Sequence, residues 1–200
     1  EDYDSPDNWS VALRYANEWN GVRVAGGIGY HRREDRAVVN SLGLPLSSSP
    51  DIDYEGWGAS ASAQHVATGL FIAGSYGEQE DKLIVAGPYG EDTTDGWSVV
   101  AGLGRKFSPL GASTFWVRYG EYTGRNFTAT YEGVDDDLTF TLAGESKVLG
   151  LGFNQKIDAA AMEMYVSYYH VEGDVTEATS GAEIGLKDYN AILFGSRIQF

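Results

Sequence analysis

The chain has no cysteine among its 200 residues, which excludes disulfides, a thiolate nucleophile and a cysteine-based zinc site. Lys and Arg number only 14 against 29 acidic residues, for a formal charge of −15. That balance argues against a nucleic-acid partner, because binding phosphates needs clustered bases. The three histidines, His31, His65 and His170, are too scattered for a zinc motif of the HExxH kind. A hydrolase or acyltransferase would need one of them beside a serine or an acid in space, and no pattern points to one. No stretch of ~20 predominantly apolar residues is present, so no transmembrane helix is required. Residues 56–77 lack Asp, Glu, Lys and Arg, yet they hold Gly56, Gly58, Gly69, Gly74 and Gly77, each costly inside a helix. The opening Glu1-Asp2-Tyr3-Asp4 is no signal peptide, so a secreted chain that opens this way is in mature or trimmed form.

The chain is rich in glycine (26 residues) and in aromatics (13%), and poor in proline (five). Such a composition suits short strands. The length predicts one domain, 1–200. Apolar and polar residues alternate along its whole length, the signature of strands with two different faces. Residues 9–18 put Trp9, Val11, Leu13 and Tyr15 against Ser10, Ala12, Arg14, Ala16 and Glu18. Asn20-Gly21 follows, a strong hairpin signal. The same alternation predicts further strands led by Val22–Tyr30, Trp57–Ala63, Leu70–Tyr76, Trp97–Leu103, Phe115–Tyr119, Leu149–Phe153, Met162–Tyr168 and Ile192–Phe200, nine in all. Short turns (Asn20-Gly21, Ala67-Thr68-Gly69, Ser108–Gly111, Asp158-Ala159-Ala160) alternate strictly with long polar connections at 32–55, 78–96, 121–145 and 171–188. Within 121–145, residues 126–131 and 138–142 read as a hairpin projecting beyond the main sheet.

Charge follows the same division. Together with residues 1–8, the long connections hold 26 of the 29 acids and six of the 14 bases, a net of −20, against +5 for the strands and short turns. A solvated soluble surface would mix the signs. Trp9, Tyr30, Trp57, Tyr76, Trp97 and Tyr168 fall toward the long connections, and Trp19, Phe107, Phe115, Phe153 and Phe200 toward the short turns. Two such aromatic belts are expected where amphipathic rings meet the two membrane interfaces. The reading is an all-β, antiparallel transmembrane β-barrel, with a soluble β-sandwich binding module as the weaker alternative.

The ending Tyr189-Asn190-Ala191-Ile192-Leu193-Phe194-Gly195-Ser196-Arg197-Ile198-Gln199-Phe200 resembles the C-terminal assembly signal of Gram-negative outer-membrane proteins. That signal is a terminal Phe preceded by alternating apolar residues, here Ile192, Phe194, Ile198 and Phe200. Residues 9–21 and 65–76 are similar to the C-terminal half of general diffusion porins, particularly alphaproteobacterial ones. The resemblance covers essentially the whole chain. It implies a location in the bacterial outer membrane, passive diffusion of small hydrophilic solutes, and no reaction or cofactor. It also implies contact with outer-membrane lipids and lipopolysaccharide, recognition by the barrel assembly machinery, and a homotrimer. Single-chain bacterial barrels normally have an even number of strands. Nine strands ending at a periplasmic Phe200 therefore point to the last part of a larger barrel, with residues 1–8 in an extracellular loop, and the resemblance to general porins implies that this barrel has sixteen strands.

The candidate pore-lining residues are those charged side chains that fall in the polar phase: Arg14, Glu18, Arg23, Arg118, Glu163 and Arg197. Charged rings of this kind set the field felt by a passing solute, and the two glutamates are placed to pair with arginines. Asp135-Asp136-Asp137 with Glu132 could bind a divalent cation, but lacks a spaced ligand loop and reads better as a solvated acidic tip. Gly102-Leu103-Gly104 and Gly150-Leu151-Gly152 read as strand packing, because no Lys and Ser/Thr follow in phosphate-loop order. Asn126-Phe127-Thr128 matches a glycosylation sequon and carries no weight in a bacterial protein. The competing function is a non-channel barrel, structural or adhesive through its acidic loops.

Overall fold

The computed structural model describes residues 8–35, 52–83, 88, 91–131 and 138–198. It is a single antiparallel sheet. In chain order its strands are β1 (Asn8–Trp19), β2 (Val22–Asp35), β3 (Ile52–His65), β4 (Leu70–Asp81), β5 (Thr93–Ser108), β6 (Gly111–Tyr131), β7 (Leu138–Ile157), β8 (Met162–Glu177), β9 (Glu183–Gly185) and β10 (Tyr189–Ile198). Each long strand pairs with its neighbour in sequence, from β1 through β8 and then β10, while β9 is a short ribbon on the upper part of β8. The sheet is open, with β1 and β10 at its edges. Ten strands replace the expected nine. The addition, β9, lies inside the connection 171–188 and is only three residues long, too short to show a period.

The tight turns form where the backbone can take unusual angles. Asn20 and Gly21 both have positive φ (47° and 75°), the geometry that matches the twist of a two-residue hairpin. Gly69 (φ 78°) closes the turn into β4. A 3₁₀ turn at Asp158–Ala160, ended by Ala161 at φ 46°, joins β7 to β8.

Directly opposed residues share a face, so the register sorts every side chain. One row runs through Val24, Ala63, Ile72, Ala101, Val117 and Leu151. The next runs through Ala25, Ser62, Ala73, Val100 and Arg118. Among the described residues no large apolar side chain is fully buried, and the buried hydrophobics are Ala143 and Ala178. Leu13 is 73% exposed, Ile192 68% and Phe194 81%. A water-soluble sandwich would bury these side chains between two sheets. Here a single layer turns them outward, which is stable only where the solvent is hydrocarbon.

Strands of up to 21 residues exceed the ~10 needed to cross a bilayer, so the ladders continue beyond it. Residues 32–35, 52–55, 78–81 and 93–96 are strand, although composition marks them as connection. Above the apolar band both faces are polar. Alternation disappears there, while the need to pair backbone N–H and C=O groups persists. The hairpin expected at 126–142 is the continuation of β6 and β7, offset by a register shift between Gly124 and Phe127.

Candidate lumen face

The polar face is the concave one. A hollow of ≈ 690 Å³ spans β1 to β5 on this side, floored by small residues such as Ala25, Gly27, Ser60, Ser62 and Ser75, with Arg14 at its edge. The register sets Arg14 opposite Gly27, so its long side chain meets no bulk from the neighbouring strand. Lower on the same wall Glu18 and Arg23 are directly opposed and joined at 2.8 Å. At the other edge Arg197 and Glu163 are likewise opposed and joined at 3.1 Å. Both arginines are more than half exposed, so these pairs add little to stability. Arg118 donates to the Tyr122 hydroxyl, and its Nε is buried without a hydrogen-bond partner. The charged candidates therefore share one face but form separate groups along the wall.

Five aromatic rings on the polar face share an arrangement that charge patterning does not express: each lies across a glycine directly opposite it, whereas Tyr54 and Tyr189 on the same face stand opposite Arg33 and Val171. The pairs are Phe71 with Gly102, Trp116 with Gly152, Tyr122 with Gly96, Tyr169 with Gly150 and Tyr165 with Gly195. A Cβ at Gly152 would overlap indole atoms Cε2, Cζ2 and Nε1 of Trp116, and one at Gly195 would lie 2.6 Å from the Tyr165 hydroxyl. The sequence carried the signal, with Trp116 and Tyr165 in the polar phase and Gly150-Leu151-Gly152 beside them, but only the register joins them.

The outward face differs. Its rings pair with one another at two levels. Trp9–Tyr30, Trp57–Tyr76 and Trp97–Tyr119 lie at 5.0, 5.1 and 5.6 Å toward the long connections. Tyr15–Trp19, Phe107–Phe115 and Phe115–Phe153 lie at 6.0, 6.3 and 4.6 Å toward the short turns. Upper-girdle hydroxyls donate to carboxylates just above them: Tyr30 to Glu55, Tyr76 to Glu78 and Tyr119 to Glu121. An amphipathic ring at an interface does this, with an apolar body below and a polar tip above. In the turn after β4, Lys82 meets Glu80 at 2.7 Å and Glu55 at 3.1 Å, and these carboxylates raise its pKa, Glu80 the more. At the far end of β8 the Glu177 carboxylate accepts the Ser180 and Thr179 amides. Hydrogen bonding, from Ser180 most of all, lowers its pKa.

The histidines remain apart. His31 lies beside Tyr54, His65 meets Thr68 at 2.8 Å, and His170 contacts Asn190 and Glu172. The last contact belongs to an outward group that the sequence did not suggest: His170, Glu172 and Asp188 bring one ligand atom each within 4.8 Å of one another. Exposed acidic groups of this kind are common without a metal. Ile192, Phe194 and Ile198 project on the outward face of β10, opposite Tyr168, Val166 and Met162. Phe200, the acidic tip 135–137 and Glu132 lie outside the described residues.

This layout, with an apolar outer band between two aromatic girdles and a polar concave face, defines the fold of an outer-membrane β-barrel. The chain resembles the solved structure of OmpT (folded in vitro), an outer membrane protein of Vibrio cholerae. The TM-score is 0.53 at 16% identity, covering 98% of this chain and 56% of that one. The chain thus spans just over half the length of that protein. No family model matches the sequence, and no curated protein does.

Proposed function

We propose that the protein is a porin of the bacterial outer membrane, a water-filled barrel that lets small hydrophilic solutes and ions diffuse passively. The observation that carries this reading is the concave face itself. It holds Arg14, Glu18, Arg23, Arg118, Glu163 and Arg197 in one phase, and between them a floor of small residues. A barrel interior filled by its own side chains needs bulk where this wall has alanine, glycine and serine. Charges are tolerated at membrane depth when they face water. The mechanism is sieving by width and by the field of the wall, with no reaction and no cofactor. The outward Ile192, Phe194 and Ile198 fit a C-terminal strand read by the barrel assembly machinery together with Phe200. The carboxylates above the upper girdle sit where lipopolysaccharide head groups would lie. A homotrimer is the assembly that goes with the porin reading.

Liposome swelling tests this. Proteoliposomes placed in isotonic arabinose should swell at a rate that falls steeply as larger sugars replace it. Folded, heat-modifiable protein that gives no swelling would favour the non-channel, structural reading.

A further inference from the structure

Two of the ring–glycine pairs are adjacent, and together they form a surface that sieving does not require. Trp116 and Tyr169 come from β6 and β8, and both reach over β7, where Gly152 and Gly150 leave the backbone bare. A Cβ at Gly150 would lie 2.9 Å from Tyr169 Cε1 and 3.3 Å from Trp116 Cζ3, so the two rings cover one strip of β7. Their centroids are 6.1 Å apart. Both residues are half-buried: one face rests on the strand, and the other faces the concave side.

Polar groups border this floor on two sides. The Trp116 indole N–H donates to Asn154 Oδ1 at 3.0 Å, Asn154 Nδ2 donates to Glu163 at 2.9 Å, and Arg197 donates to Glu163 at 3.1 Å. That chain fixes the indole in its plane. On the other side stands Arg118, in the row of Gly150 and Tyr169, tied to Tyr122 and with Nε unpartnered.

The two ring planes are inclined at 47° to each other, and an apolar floor of two tilted facets edged by fixed donors and acceptors suits a ligand with apolar ring faces and a hydroxylated rim. We infer that this platform is a saccharide-binding site on the lumen wall, taking pyranose rings stacked on Trp116 and Tyr169, with sugar hydroxyls meeting Arg118 and the Asn154–Glu163 pair. Aromatic cover of a glycine stabilises a sheet anywhere; what sets this pair apart from the other three is that two rings meet over one strand beside fixed polar groups. The inference rests on the reading of the concave face as a water-filled lumen.

The test is equilibrium binding of maltohexaose to the folded protein in detergent, followed by tryptophan emission, with polyethylene glycol of matched size as the probe that enters without stacking. The difference between wild type and Trp116→Phe isolates the Trp116 emission. That emission should shift saturably with maltohexaose and not with polyethylene glycol. Affinity should fall about tenfold or more in Trp116→Ala/Tyr169→Ala, a loss of about 1.4 kcal/mol or more. It should fall less in Trp116→Phe, measured by equilibrium dialysis with labelled sugar. No saturable change in the wild type, or unchanged affinity in the double variant, overturns the site. Should the double variant not fold, the wild-type difference spectrum still decides. The readout needs no conduction. Sugar binding without swelling would defeat the channel reading and keep the site, and swelling without sugar binding would do the reverse.

Discussion

Gly69 shows how narrowly single positions are constrained. Its φ of 78° is costly for a residue with a side chain, and a Cβ would run into the Gly104 carbonyl, whose own amide donates to Gly69 O at 2.9 Å. Gly69→Ala should destabilise the barrel by about 1–3 kcal/mol, read as a lower urea midpoint for the refolded protein in detergent. An unchanged midpoint would remove the strain argument. Glu177 gives a pH test. Its lowered pKa means that its contribution to the loop is complete above the ordinary carboxylate range and is lost as pH falls through the lower, folded-state value. The Ser180 amide proton should therefore titrate with an inflection below ordinary glutamate, and an inflection at or above it would contradict the hydrogen bonds. At this scale the sequence was partly legible. The arginines and glutamates of the wall could be read from phase alone, because a charge in an apolar row is excluded by its desolvation cost. The ring–glycine pairs could not, because they join residues on different strands and depend on register.

At the scale of the strand, alternation served well wherever the two faces meet different solvents. Leu13, Leu103, Leu151 and Phe194 fall on one face, and Arg14, Arg118 and Arg197 on the other, by register as by pattern. It fails where both faces meet water, so it marks neither the upper ends of β2 to β5 nor the three-residue β9 as strand. A chain without cysteine allows a clean check. Single cysteines at Leu13, Leu151 and Phe194 should resist a membrane-impermeant thiol reagent in intact membranes, and those at Arg14, Arg118 and Arg197 should react. Equal labelling of the two sets would contradict the assigned faces. The last strand carries a separate expectation. Deleting Phe200 should lower the yield of folded barrel in cells while leaving the conductance of assembled molecules unchanged, and an unchanged yield would remove the assembly-signal reading.

For the whole molecule, the separation of charge is the feature that composition, pattern and fold share. Acidic residues gather beyond the upper girdle, and the concave wall carries arginines, two of them paired with glutamates. Exposed charges act over ~10 Å in 0.1 M salt, so in the proposed channel the acidic mouth should enrich cations at low salt, with the wall opposing it. Neutralising Arg14 and Arg118 should make passage more cation-selective. The central claim, a water-filled channel, is tested most directly by current through planar bilayers containing the purified, folded protein. The account predicts stepwise increments that scale with bulk salt conductivity, with a weak cation preference at low salt that fades as salt rises. Folded protein that inserts without steps would contradict it.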